Sequence, residues 1–211
     1  MKYWDVKELV TYAEFVKMNP MDKVRSFAVE GVTLDELSAL HKAIGRAIDT
    51  GTTRHAFKWE CEKVFTRIGW MEYSERWRID DLFNTQVLTA YSVARYEKAL
   101  QHIKYFPYWR YSSVQDSRTR PAHLFMDGKV WPAEHSVWDV WYPLNGPSCR
   151  CSTMSLTKGQ VERQGLKVES EDPTGTVIHP VDWTTGELLP PVKLIPDEGY
   201  GYNPGKLYLG R

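Results

Sequence analysis

Residues 105–156 read YFPYWRYSSVQDSRTRPAHLFMDGKVWPAEHSVWDVWYPLNGPSCRCSTMSL, and the change of texture at their start decides the fold class. Upstream of Tyr105 the apolar residues recur at helical spacing. From Trp109 they alternate instead: Trp109, Tyr111 and Ser113 interleave with Arg110 and Ser112, the two-residue period of a half-buried strand. Met126-Asp127-Gly128-Lys129 is a turn signal between Leu124-Phe125 and Val130-Trp131, which predicts a hairpin. Pro143 to Pro147 reads as a loop, Cys149 to Leu156 as a second alternating strand, and Thr157 to Gln164 as a short helix.

The region before this stretch is helical by pattern. Val6, Leu9, Val10, Ala13, Phe15 and Val16 predict a helix over 5–18, ended by Asn19-Pro20. Residues 25–30 form a short apolar stretch of undecided type. Thr33, with Glu36 three residues later, is a capping box, and Leu34, Leu37, Leu40, Ile44 and Ile48 mark one face up to Gly51. A further helix is expected from Thr52 or Thr53 to about Ile68, with Phe57, Cys61, Val64 and Phe65 inward. A long one follows from about Tyr73 to Ile103, with Trp77, Leu82, Val87, Ala90, Tyr91, Ala94 and Leu100 as its buried stripe. After Gly165 prolines, glycines and acids dominate (Asp182, Asp197 and Glu198 among them), so residues 166–211 are expected to run as an extended arm over the surface.

The chain has 211 residues, 42% hydrophobic and 26% charged, which places it among globular proteins rather than disordered ones. Lysine plus arginine equals aspartate plus glutamate at 27 each, so any nucleic-acid contact requires a local patch and not a global positive field. Nine tryptophans point to an aromatic core or to aromatic anchors for protein partners. Three cysteines, at 61, 149 and 151, and an N-terminus unlike a signal peptide argue against a disulfide scaffold and for synthesis in a reducing cytoplasm. No apolar run approaches the roughly 20 residues that span a bilayer.

The ordered set Pro107-Tyr108-Trp109, Tyr111, Asp116-Ser117-Arg118-Thr119-Arg120-Pro121, His123, Asp127-Gly128, Trp138, Trp141, Pro143, Asn145-Gly146 and Cys149-Arg150-Cys151 resembles the signature of the Mu F-like family of phage head morphogenesis proteins. Asn84-Thr85, Arg95-Tyr96, Asp197-Glu198-Gly199 and Tyr202-Asn203-Pro204-Gly205 extend the resemblance over about residues 25–205. The resemblance implies a minor capsid protein of a tailed phage or prophage, made in the host cytoplasm and carried in the virion. Its expected partners are the portal protein or the major capsid protein, with contact to packaged DNA and no membrane. In many members the positions matching Arg120 and His123 are both cysteines, which implies a four-cysteine metal site; Arg120 cannot serve as a ligand here.

The residues themselves allow several chemistries. On a strand, Cys149 and Cys151 project from one face with Arg150 opposite. Two thiolates so placed suit zinc, with His123 as third ligand and His135, Asp116 or water as fourth. The plainer reading makes both cysteines small buried hydrophobes and His123 a local hydrogen-bonding group. A cysteine nucleophile with His123 as base and Asp116 or Asp127 as orienter has the right residue types but no spacing that demands it. Arg118, Arg120 and Arg150, near Asp116 and Asp127, read as structural ion pairs before they read as a phosphate patch. Trp138 and Trp141 read as filling for a small core around the hairpin.

The expected fold is therefore α+β: a helical region over 1–104 whose long helix packs on a strand-rich signature region over 105–165, then the arm over 166–211. The expected function is structural and not enzymatic. The alternatives are an ADP-ribosyltransferase-like or Cys/His-based enzyme, and a DNA-binding module near the portal. The motif at 197–205 sits almost at the chain's end, so no appended toxin or nuclease domain is expected.

Overall fold

The computed structural model describes residues 2–181 and 185–210; Asp182 and Arg211, both part of the expected arm, lie outside that range. About 42% of the chain is helix and 12% strand, the α+β composition expected. Contacts divide it into two compact units, residues 1–94 with 204–211, and residues 95–203. The sequence regions follow texture and this division follows contacts, so the strand-rich segment and most of the arm share one unit.

In the first unit, β1 (Glu8–Leu9) pairs in parallel with β2 (Ser26–Phe27), and α1 (Tyr12–Phe15) and α2 (Pro20–Arg25) lie between them in sequence. The single helix expected over 5–18 is thus a turn, a strand and one short helix. The cause is Thr11, whose hydroxyl accepts the Glu14 N–H while the Glu14 carboxylate accepts the Thr11 N–H at 2.9 Å, so the helix starts only at Tyr12. Asn19-Pro20 ends that segment and also opens α2, with the Asn19 side chain accepting the Asp22 N–H at 3.0 Å.

The Thr33–Glu36 capping box starts α3 (Leu34–Thr50), and Gly51, at φ 71°, closes it in the left-handed conformation. Leu37, Leu40, Ala43, Ile44 and Ala47 are buried. Leu34, placed on the same face by spacing, is exposed, because a first-turn residue has no preceding helical turn to cover. The helix expected over 52–68 is two, α4 (Arg54–Glu60) and α5 (Glu62–Arg67), interrupted at Cys61. An unbroken helix would turn Phe57 and Phe65 about 80° apart; with the break both are buried, their rings 5.7 Å apart. They join Trp4, Phe27, Leu40 and Ile44 in one core, where each fully buried large side chain contributes about 2–3 kcal/mol.

The long helix α6 (Arg76–Gln101) buries Ile79, Phe83, Ala90, Val93 and Tyr96. Trp77 and Tyr91, assigned to that stripe from spacing, are 58% and 48% exposed, and Ala94 is exposed too. The helix carries two apolar rows, and hydropathy alone did not separate the inward one. Trp77 instead lies under the Arg78 guanidinium at 5.2 Å. Near the chain's end α10 (Pro204–Tyr208) returns to this unit, with Tyr208 edge-on to Tyr3 at 5.2 Å.

The second unit is built on β3 (Tyr108–Ser112), central between β4 (Val130–Pro132) and β5 (Ser152–Leu156), antiparallel to both. The register sets Trp109 opposite Trp131 on one side and Ser155 on the other. Two-residue alternation sends Trp109, Tyr111 and Trp131 to one face, where they meet Trp138 and Trp141 of α8 (Val137–Trp141), with Tyr142 and Tyr96. The rings pack edge to face, Trp138 lying 5.7 Å from Trp109 and 5.8 Å from Trp131. On the other face Val130 and Leu156 pack on Val161 of α9 (Lys158–Arg163).

Two strand expectations are corrected. Leu124-Phe125 is not a hairpin strand: Pro121 takes the first position of a helix, α7 (Pro121–Met126), and β4 pairs with β3 instead. Asp127-Gly128 is a turn, but from helix to strand. Gly128 sits at φ 76° and donates its N–H to Tyr111 O at 2.9 Å, and Asp127 accepts the Ser113 N–H at 2.6 Å. The strand expected from Cys149 begins only at Ser152, so both cysteines of the signature lie in the loop entering β5.

The arm is irregular, as expected, but pinned. Trp131 donates its indole N–H to Glu171 O at 2.9 Å, and Trp141 donates to Thr174 Oγ1 at 3.0 Å. Beyond these anchors β6 (Val177–Ile178) pairs with β7 (Val192–Lys193).

Candidate metal centre

His123 lies on the inward face of α7 and is 2% exposed; Cys149 is 3% exposed, and Cys151 is half-buried. Pro121 starts the helix two residues before His123, and the loop from Asn145 carries the thiols to it. His123 Nδ1 stands 3.6 Å from Cys149 Sγ and 3.5 Å from Cys151 Sγ. The strand alternation that first suggested converging thiols is absent; loop geometry brings them together. Zinc held tetrahedrally at about 2.0–2.1 Å from nitrogen and 2.3 Å from sulfur sets N···S edges of about 3.5–3.6 Å. The observed separations fit that tetrahedron, and the three donor atoms all lie within 4.8 Å of one another. A zinc ligand set of one imidazole and two thiolates is chemically apt.

The electrostatics point the same way. Hydrogen bonding from Cys151, and then His123, draws the Cys149 thiol well below the ordinary range. The hydrogen bond to Cys149, then burial and the charge on Cys149, push the Cys151 thiol up, so a cation beside the pair is what would favour a second thiolate. His123 Nε2 is buried without a hydrogen-bond partner among the described residues.

The other signature residues surround this centre without entering it. Asp116 accepts from Arg150 at 2.7 Å and from the Arg118 N–H at 3.1 Å, and Arg150 holds its carboxyl far below the carboxylate range. His135 stands elsewhere, Nε2 against Ser170 O at 3.1 Å and Nδ1 accepting the Val137 N–H at 3.1 Å. Arg118 lies 3.5 Å from Asp116, and Arg120 pairs with Asp197 at 2.7 Å and donates to Pro147 O at 3.0 Å. Asp127 accepts from Ser113 and Gln115.

Asn145 emerges as a residue for which the sequence suggested no role. It is fully buried, accepts the Tyr111 hydroxyl at 3.0 Å and donates to Val140 O at 3.1 Å, and its own carbonyl accepts the Asp197 N–H at 3.0 Å. It therefore ties the loop bearing the cysteines to the aromatic core and to the arm. The hint in sequence was its place in the signature, as an Asn-Gly pair between prolines. Asn203, also buried, donates to Trp138 O at 3.0 Å.

The family model described as phage Mu protein F-like matches residues 38–154, more than half of the chain and the whole span from α6 through both signature cysteines. The chain belongs to the Mu F-like family. It is 29% identical to the putative capsid assembly protein F of Escherichia phage Mu over 88% of this chain and 49% of that protein. It is 32% identical to the Mu-like prophage FluMu F protein of Haemophilus influenzae over 70% of this chain and 39% of that one. The chain thus spans about half or less of the Mu F-like relatives it matches. No solved structure matches it. Among the described residues, no helix is long and apolar enough to cross a membrane.

Proposed function

We propose that this Mu F-like chain is a minor capsid protein that binds the portal or the inner capsid during head assembly and accompanies DNA delivery. The observation that carries the reading is the family match together with a relative whose name states capsid assembly. The signature segment has a structural part in it. With zinc bound, His123, Cys149 and Cys151 tie α7 to the loop entering β5, and Asn145 and Arg120 tie the same loop to β3 and the arm.

An enzymatic reading finds less support. A nucleophile with a histidine base needs a group that orients the base, and the carboxylates of Asp116 and Asp127 are engaged by Arg150, Ser113 and Gln115 instead of His123. A phosphate patch finds less support too, since Arg118, Arg120 and Arg150 each pair with a carboxylate.

The test is a density map of heads at the portal vertex, from wild type and from a deletion of this chain. Density at the vertex that the deletion removes supports the reading; wild-type heads that lack the protein contradict it.

A further inference from the structure

Beside His123, Cys149 and Cys151 lies a cavity of about 30 Å³, whose walls include all three of those residues and Arg118, Arg120 and Arg150. By the same measure a water needs about 10–15 Å³, so there is room for one small ligand next to the three donors. Structural zinc sites close with four protein ligands, whereas three ligands leave a position for an exogenous one. The described residues bring three such donors together here, and the two sequence candidates for a fourth, His135 and Asp116, are held by other partners.

Resting on the zinc reading above, we infer that the centre keeps an open fourth position facing this cavity, which takes water or a small exchangeable anion. Zinc with two thiolates and a neutral imidazole carries no net charge, so the surroundings decide the ligand's sign. Three arginines line the cavity, and the two carboxylates that pair with them, Asp116 and Asp197, offset part of their charge and are not among its described lining residues, so a single net positive charge is left beside it. Thr119 and Ser148 are also among its lining residues, with the Thr119 hydroxyl donating to Asp116 Oδ1 at 3.1 Å. A ligand that is small, monodentate and negative matches that lining.

The test replaces the native metal of the full chain with cobalt(II) and titrates thiocyanate while the visible spectrum is read. Sulfur-to-cobalt charge-transfer bands with visible bands that shift saturably on adding thiocyanate are the expected result. Arg118→Gln, at a side chain 77% exposed, should leave the cobalt spectrum intact and weaken thiocyanate binding by about two- to fivefold. Cobalt uptake with charge-transfer bands and a spectrum that thiocyanate leaves unmoved overturns the open position but not the metal site. A chain that takes up no cobalt overturns the zinc reading, and the open position with it.

Discussion

Arg120 and Asp197 form an ion pair, with Arg120 Nε 2.7 Å from Asp197 Oδ2, and it joins the signature segment to the C-terminal arm. It gives Arg120 a part to play at a position where a metal ligand would otherwise be expected. Gly146 makes room for the pair: a Cβ there would come within 2.8 Å of Asp197 Cγ and 3.2 Å of Arg120 Cζ. Both partners are about one-third exposed, so Asp197→Asn should cost only about 0.5–1 kcal/mol. Gly146→Ala, which pushes both flexible side-chain ends apart and so breaks the pair, should cost a similar amount, about 0.5–1 kcal/mol. Urea unfolding of the two variants checks this; a Gly146→Ala variant as stable as the wild type would mean that the glycine is not there for the pair.

Asn145 should be among the most sensitive polar positions in the unit. Asn145→Ala strands the buried Tyr111 hydroxyl and the Val140 carbonyl together, and about 3 kcal/mol of stability should go with them. Tyr111→Phe removes one donor only and should cost about 1 kcal/mol. Denaturant midpoints measure both, and a loss below about 1 kcal/mol for Asn145→Ala would show that the loop is held by something else.

Removing a metal ligand should act through the metal as well as through packing. His123→Ala and Cys149→Ser each open a buried site and should lower stability by about 3 kcal/mol or more. A chelator should lower the melting temperature of the wild type and leave either variant unchanged. If the chelator leaves the wild type unchanged as well, the two thiols are acting as ordinary core side chains.

Acid stability has a traceable contribution from Glu36. Hydrogen bonds from Arg67 and then from the Thr33 N–H lower its carboxyl to about 2. A depressed folded value means that the stabilisation is complete above the ordinary value of about 4.3 and is lost as pH falls through about 2. Solvent screening keeps it below about 1 kcal/mol. Glu36→Gln should therefore flatten the stability curve between about pH 4.3 and 2 and leave neutral pH little changed apart from the lost ion pair. Asp116, held down by Arg150, acts in the same direction at still lower pH. Melting temperatures across that range for Glu36→Gln beside wild type decide the point.

Much of the second unit was legible in the chain because its strands alternate. Trp109 and Tyr111 announced the inward face of β3, and the triad of His123, Cys149 and Cys151 could be named from residue type and order. What the alternation could not convey was the route: α7 starts at Pro121, a residue that favours a first helical turn as readily as it interrupts a strand. Short capped elements near the N-terminus were hidden for a similar reason. Thr11 with Glu14 repeats the signal of Thr33 with Glu36, yet the surrounding apolar spacing fits one longer helix equally well. The link from Arg120 and Asn145 to Asp197 was invisible because Asp197 lies far along the chain, and local pattern carries no information about such pairs.

Elemental analysis of the full chain, purified without chelator, tests most directly whether the signature segment is a metal-closed structural element. Zinc should be present at about one equivalent per chain and be lost in Cys149→Ser. Less than about a tenth of an equivalent of any metal in folded wild-type protein would contradict it, leaving His123, Cys149 and Cys151 as a packed cluster without an ion.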